Sequence, residues 1–243
     1  MNDTLRLLCL DTSTNTARVA VVDGAGTPLA RVEATGDRHS AHVLPLVDEA
    51  LRAAGLTAEQ LDGIACGAGP GSFTGLRVGL AVSKGLALAT GKPLLLVSSL
   101  DALAFDVAAA APGAAFTAVP CIDAGKGEVY AAPRAVDAAG AIASAEPGEP
   151  WRLSPTALLE HLSGLSAVVL AGNGAERHAA VFDAGLPSGA RRISLDGPSA
   201  RAVALLALPR LARGEADDLE KAVPVYGRPP DITTKKPAAK GRA

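Results

Sequence analysis

The feature that most constrains this chain is that it repeats itself. Residues 8–26 read LCLDTSTNTARVAVVDGAG, and residues 120–140 read PCIDAGKGEVYAAPRAVDAAG. Cys9 aligns with Cys121, Leu10 with Ile122 and Asp11 with Asp123. In each copy an apolar strand ends in Asp, a turn of small residues follows, and a second strand runs to an Asp/Ala/Gly turn. Two copies of one supersecondary plan imply two related lobes.

The segments after each copy agree. In the first half, TPLARVEA reads as a third strand of an antiparallel meander. HSAHVLPLVDEALRAAG then places Val43, Leu46, Val47, Ala50 and Leu51 on one helical stripe. This predicts a helix over about 41–53, capped by Ser40 and ended by Gly55. Thr57 and Gln60 frame a short capped turn, and LDGIACGAG gives a buried strand. Residues 74–90 read as a long helix stopped by Gly91 and Pro93, followed by the strand PLLLVSS and the helix SLDALAFDVAAAA. The second half adds the helix SPTALLEHLSG, with Ser154 as cap and Pro155 at its first position. The strand SAVVLAGNG, a short helix near 174–182 and the helix PSARAVALLALPRLARG complete it. The expected division is an N-terminal lobe over 1–110, a C-terminal lobe over 111–226 and a basic tail over 227–243.

Paired strand–Asp–turn hairpins suggest the actin/hexokinase/heat-shock ATPase plan, in which the two turns face each other across a nucleotide cleft. On that analogy Asp11, Thr12, Ser13 and Thr16 sit where a first phosphate hairpin would. Asp123, Gly125 and Lys126 correspond to a second, and Gly172, Asn173 and Gly174 to an adenosine-side loop. These residues are candidates for nucleotide binding. The glycine-rich stretch GAGPGSFTGLRVG (67–79) is a different matter. A Walker loop needs four residues between its glycines and then Lys-Ser/Thr. Here Gly71 and Gly75 enclose three, and Leu76-Arg77 follow. The dinucleotide pattern fails as well, because the gap from Gly71 to Gly75 is one residue too long.

The helix behind that stretch carries Gly75, Gly79, Ser83 and Ala87 at intervals of four. A glycine inside a helix costs about 1 kcal/mol relative to alanine, and close approach by another backbone is the usual compensation. Two surfaces satisfy this requirement, the chain's own sheet or another chain, and the stripe alone leaves both open. Arg77 lies off it.

Composition excludes several classes. Apolar residues make up 49% and charged residues 20% of 243, as in a globular core. Aromatics are only 3%, which argues against a stacking platform for single-stranded nucleic acid. Cys9, Cys66 and Cys121 lie in apolar runs without metal-ligand spacing, as expected of reduced thiols in a cytoplasmic protein. No apolar run is long and clean enough to span a bilayer. His39 and His42 stand three apart with no third ligand nearby, and there is no His-Glu-x-x-His, so a metalloprotease is disfavoured. The end of the chain, RPPDITTKKPAAKGRA, holds Arg228, Lys235, Lys236, Lys240 and Arg242 against Asp231 alone. Such a Pro/Ala-rich basic tail is expected to be solvated and without fixed structure; contact with RNA phosphates is the other reading.

The string GPGSFTGLRVG, with LCLDTSTNTARVAV, HSAHVLPLVDEAL and DAGKGEVYAA, resembles the bacterial TsaB (YeaZ) family. The resemblance runs from about residue 5 to the PVY at 224–226. It implies a duplicated actin-like ATPase (ribonuclease H-like) α/β fold in two lobes. It also implies a cytoplasmic, non-catalytic subunit that binds and activates a catalytic paralogue, TsaD, together with the ATPase TsaE. That complex attaches threonylcarbamoyl to N6 of adenosine 37 in tRNAs reading ANN codons, and this subunit meets tRNA only through the complex. No cofactor of its own and no metal are implied, though ATP at the complex interface is compatible with it.

The paralogue's His-x-x-x-His metal pair falls here on PLLLVSSLDALAF, which has no histidine. The family usually has Arg after Asp-Ala, where this chain has Gly125-Lys126. The resemblance assigns the helices at 41–53 and 74–90 to the partner contact, through Val43, Leu46, Val47, Phe73, Gly75, Leu76, Arg77, Gly79, Leu80 and Ser83. The same surface would make a homodimer of the isolated chain. On that reading Gly79→Leu would abolish partner binding and leave the fold intact. The alternative from another class is a stand-alone ATP-dependent kinase or ATPase of the same superfamily.

Overall fold

A computed structural model describes residues 4–36, 43–142, 149–165 and 167–225. The expected cap Ser40, the pair His39 and His42, and the basic tail lie outside the described residues.

Two sheets carry the fold. The first contains β1 (Arg6–Asp11), β2 (Thr16–Asp23), β3 (Pro28–Thr35), β4 (Gly63–Gly67) and β5 (Leu94–Val97), in the order β3-β2-β1-β4-β5. The second contains β6 (Phe116–Gly125), β7 (Glu128–Ala131), β9 (Trp151–Leu153), β10 (Val168–Ala171) and β11 (Arg191–Arg192), in the order β9-β7-β6-β10-β11. The short β8 (Arg134–Val136) pairs beside β6.

The two orders are the same once the copies are superposed. In each, a three-stranded antiparallel meander is followed by two parallel strands on the far side of the first strand. The duplication read from the Asp-ended strands therefore extends through the whole topology. The strand chemistry follows from position. β4 (GIACG) is buried throughout between two neighbours, whereas the edge strand β3 alternates between exposed and half-buried residues.

The helices match in type as well. α1 (Val43–Ala54) follows the first meander and α4 (Pro155–Leu162) the second, the latter capped by Ser154 with Pro155 in its first turn. α2 (Phe73–Thr90) follows β4 and ends on Gly91 at φ 67°, a left-handed stop that glycine adopts without strain. α5 (Asn173–Arg177) and α6 (Ala179–Gly185) follow β10. α3 (Ser99–Ala110) follows β5, and α7 (Ala200–Ala212) follows β11.

The last helix of each half crosses to the other sheet, so the division at residue 110 needs correction. Ala104, Val107 and Ala108 of α3 pack on Ala118, Val169 and Ala171 of the second sheet. Ala202, Val203 and Ala207 of α7 pack on Leu7, Cys9, Ala20 and Leu95 of the first. The physical reason is that a parallel sheet must be covered on both faces, and each half supplies one covering helix to its sister. The exchange is fastened by Asp106 of α3, which accepts hydrogen bonds from Ser199 N (2.7 Å) and Ser199 Oγ (2.8 Å) at the start of α7. Arg18 of β2 is buried and pairs with Asp196 and, at 3.7 Å, with Glu33.

The chain then returns along the first sheet. Asp217 N–H donates to Leu94 O, Leu96 N–H donates to Asp217 Oδ2 and Val225 N–H donates to Ala68 O (2.8, 2.7 and 2.8 Å). This strap covers the open edge of β5. Among the described residues no helix is long and apolar enough to cross a membrane.

Candidate functional site

The glycine-rich stretch packs onto the first Asp-turn. Asp11, Thr12 and Ser13 are all but fully buried. Asp11 Oδ1 accepts from Ser13 N–H (2.8 Å) and Ser13 Oγ (2.6 Å), and its Oδ2 accepts from Ser99 Oγ (2.6 Å). From the other side, Ser72 N–H donates to Ser13 O (2.7 Å) and Thr12 Oγ1 donates to Gly75 O (2.8 Å). A Cβ at Gly71 would overlap Ser13 O, one at Gly75 would overlap Thr12 O, and one at Gly79 would overlap Thr12 Oγ1. The glycines therefore let loop and helix close down on the turn.

This packing buries the first half of the expected nucleotide site: Asp11 and Ser13 bond to each other and to Ser99 and Ser72, and Thr12 bonds to Gly75.

Burial holds the Asp11 carboxyl above the usual carboxylate range, against the pull of its hydrogen bonds to Ser13 and Ser99 and of Arg18. A raised carboxyl adds stability that is complete below its unfolded value and is lost as pH rises through the folded one. Asp11→Asn removes the titration. Its stability relative to the parent is therefore expected to rise between pH 4 and pH 7, read from urea midpoints of both proteins. An unchanged difference between those two pH values would show the carboxyl to be unperturbed.

The second Asp-turn is more open. Asp123 N–H donates to Asn173 Oδ1 (3.1 Å), Gly125 N–H donates to Asp123 Oδ1 (3.1 Å), and Arg177 Nη1 reaches Asp123 Oδ2 at 3.1 Å. The chain comes close enough here that a Cβ at Gly172 would overlap Cys121 O, and one at Gly174 would lie 3.0 Å from Asp123 N. The fold thus brings Asp123, Gly125, Lys126, Gly172 and Gly174 to one place. The two glycines serve backbone packing there, and Asp123 faces a guanidinium. Among the described residues no three His, Cys, Asp or Glu side chains come together as a metal ion would need. The three thiols are buried, and burial pushes Cys66 up to about 12 and raises Cys9 and Cys121 as well. None is set up as a nucleophile.

The expected partner surface divides in two. Val43, Leu46 and Val47 are buried in the core beneath the first sheet, together with Leu80. Gly75, Leu76, Gly79 and Ser83 are also buried, and Gly75 and Gly79 face Thr12. These eight residues are corrected from docking contacts to internal packing, because the small stripe found its close backbone inside its own lobe. Phe73 and Arg77 remain exposed, with the Arg77 guanidinium 4.7 Å from the centre of the Phe73 ring.

The same helix has a second outward face that sequence reasoning missed. Ala81 and Gly85 continue the line of Arg77 at intervals of four, and Leu88 lies 68% exposed beside it. Nothing lies within 4 Å of a Cβ built on Gly85. On α1, Leu44 is 56% exposed. The signal available was that α2 carries only two charged residues, Arg77 and Lys84, so its apolar side chains reach beyond the face that covers its own sheet.

Two sheets of identical strand order that exchange their last helices define an actin-like α/β fold, here with its first Asp-turn closed by a glycine saddle. A solved structure with bound ADPNP, the activator of 2-hydroxyisocaproyl-CoA dehydratase from Clostridium difficile, shares the fold at a TM-score of 0.52 and 12% identity, over 88% of this chain and 99% of that one. YeaZ from Pseudomonas aeruginosa superposes at a TM-score of 0.71 with 30% identity, over 91% of this chain and 99% of that one. The tRNA threonylcarbamoyladenosine biosynthesis protein TsaB of Escherichia coli K12 is 34% identical over 92% of this chain and 95% of its own length. The chain belongs to the TsaB family. Residues 33–146 also match the family model of TsaD, the tRNA N6-adenosine threonylcarbamoyltransferase.

Proposed function

We propose that the chain acts in tRNA threonylcarbamoyladenosine formation as a docking subunit, without catalysis of its own. Its target is the TsaD-type transferase, with TsaE joining the pair, and its place is the cytoplasm. The observation that carries this reading is the outward face of α2. Phe73, Ala81, Gly85 and Leu88, with Arg77 lying over the Phe73 ring, form a largely apolar strip with small residues at its centre, exposed on a helix whose other face already fills its own core. A mid-helix glycine costs about 1 kcal/mol, and Gly85 recovers nothing from its own chain. A helix backbone of another subunit lying against it would recover that cost.

The TsaD kinship of residues 33–146 supports the identity of that subunit, since the match spans both α1 and α2. Two related proteins that carry related helices can meet about a pseudo-two-fold axis, and in the partner's absence the same face would pair with a second copy of this chain.

Absence of catalysis is supported by what the candidate groups do. Asp11 is spent on Ser13 and Ser99, Asp123 faces Arg177, and the thiols are buried and raised. A stand-alone kinase would need a free carboxylate beside a phosphate turn, and the first turn is closed. ATP at the interface of the complex would meet this chain through the Asp123–Lys126 turn, the part of the expected site that stays open.

Reconstitution tests the reading. Threonylcarbamoyl transfer to tRNA is expected from the transferase, TsaE and this chain together. Omitting the chain should lower the rate by about 100-fold, a loss of roughly 2.7 kcal/mol in transition-state stabilisation. The chain alone should transfer nothing and turn over no ATP. Modification or ATP turnover by the isolated chain would overturn the proposal.

A further inference from the structure

We infer that the chain binds a free α-amino acid with a large apolar side chain, in a pocket lined by both of its halves and separate from the outward face of α2. The pocket holds about 460 Å³, within the usual range for small-molecule sites. Because α3 and α7 cross between the sheets, the end of β5, the first turns of α3, β8 with the turn after it, and α7 all meet there. Leu96, Val97, Phe105, Ile142 and Leu206 give it an apolar body. A side chain the size of leucine or phenylalanine would bury its surface against them.

The charged groups of the lining are Asp101, Arg134 and Arg210. Arg134 meets Asp101 through Nε (2.9 Å) and Nη2 (2.7 Å), and both contacts fall on Oδ1. Asp101 Oδ2 accepts no hydrogen bond among the described residues. A guanidinium carries five N–H donors. Arg134 uses a third on Pro133 O (3.1 Å). Arg210 uses three, on Glu215, Leu96 O and Asp217 (3.1, 2.8 and 3.1 Å). Each arginine thus keeps two donors for a ligand or water.

This set of groups selects a ligand class. Arg134, Arg210 and Arg213 stand against Asp101, Glu215 and Asp217, so the charge around the pocket balances. A polyanion such as a nucleotide meets no net attraction there. A wholly apolar ligand would strip water from Asp101 and the guanidinium donors and return no hydrogen bond. A zwitterion satisfies both kinds of group, its ammonium donating to Asp101 and its carboxylate accepting from guanidinium N–H. Asp101 and Arg134 touch, so acceptor and donors lie side by side, as an ammonium and a carboxylate do on one carbon.

The groups are also held in place. Ser98 Oγ accepts Asp101 N–H (3.2 Å) as the cap of α3, and Arg210 is fixed by its three acceptors, which leaves little ordering to the ligand. Ser98 is spent on that cap, so a side-chain hydroxyl such as that of threonine would meet only apolar groups in the body of the pocket.

The test titrates the full chain with L-phenylalanine and reads amide shifts by NMR. Three further probes each lack one feature: L-phenylalaninamide has no carboxylate, hydrocinnamate no ammonium, and L-threonine no apolar side chain. Phenylalanine should saturate with a Kd of about 1 mM or lower. The shifts should centre on Val97, Asp101, Phe105 and Ile142. Each of the other probes should bind at least about 10-fold more weakly.

Two variants locate the binding. Ala141→Phe fills the pocket from its exposed rim, where the backbone alone of Ala141 serves the turn, and should abolish saturation. Asp101→Asn keeps the shape and removes the charge, and should weaken phenylalanine by at least about 10-fold. Leu88→Asp, on the outward face of α2, should bind as the parent does.

No saturation by phenylalanine below about 20 mM would overturn the inference. So would equal affinity for any one of the three other probes, or unchanged affinity in Ala141→Phe or Asp101→Asn. The comparison of probes needs the parent chain alone, so a variant that fails to fold leaves the test intact. The pocket and the docking face share no residue, and either proposal can fail without the other.

Discussion

Gly79→Leu is expected to destabilise the isolated chain by about 3 kcal/mol, the upper part of the range for overpacking a close-packed interior. For a chain of this size that lowers the thermal midpoint by roughly 6–12 °C. The argument is geometric. Gly79 is buried, a Cβ there would overlap Thr12 Oγ1, and that same hydroxyl donates to Gly75 O. Thr12 has no room to retreat, because it belongs to the fully buried turn that Asp11 and Ser13 hold together. A leucine must therefore push α2 off the sheet or break the turn. Even Gly79→Ala is expected to destabilise, despite its gain in helix propensity.

Gly85→Ala is the matched control. It lies on the same helix with open space around its Cβ. It should gain stability, by up to about 1 kcal/mol. Urea denaturation of Gly79→Ala and Gly85→Ala separates the two faces of one helix. Equal shifts in the two variants would show that the glycine saddle is not packed as described.

The contrast also shows what could be read in the residues and what could not. The duplication was legible because Asp11 and Asp123 stand at or near the ends of strands of the same pattern, and the topology repeats from end to end. The cap at Ser154 and the stop at Gly91 followed from local chemistry and stand as read. The exchange of α3 and α7 between sheets was not legible. Periodicity shows that a helix has an apolar face, but it does not say which sheet that face covers.

The spacing of Gly75, Gly79 and Ser83 had the same limit. It signalled close approach, and the partner was Thr12, more than sixty residues earlier, rather than a second chain. The open face was overlooked for a related reason. Ala81 and Gly85 are spaced like the inward glycines, and only burial distinguishes the two lines. In the site, the Asp11 turn looked like a phosphate hairpin because an apolar strand ending in Asp runs into a turn rich in hydroxyls. What closes it is the loop at 67–75, whose role appears only when the two segments meet.

The docking face carries the second large effect. Ala81→Asp together with Leu88→Asp places two charges in the exposed apolar strip, one at its centre and one at its end. Both positions are exposed in the free chain. The cost to folding should stay within about 0.5 kcal/mol for each, as for other surface substitutions. In a docked complex the same carboxylates would lose their water against apolar side chains, and an unpaired buried charge is costly to any interface. Binding to the TsaD-type transferase is therefore expected to fall by at least 100-fold, or about 2.7 kcal/mol. Val181→Asp, on an exposed site of α6 in the other lobe, should leave binding unchanged.

The measurement that tests the account most directly is a calorimetric titration of the transferase into the parent chain and into the Ala81→Asp/Leu88→Asp variant, with both first shown to be folded at the titration temperature. The account predicts saturable binding of the parent and little or no heat from the variant. Equal affinity for the two folded proteins would contradict it, and would move the docking surface away from the outward face of α2.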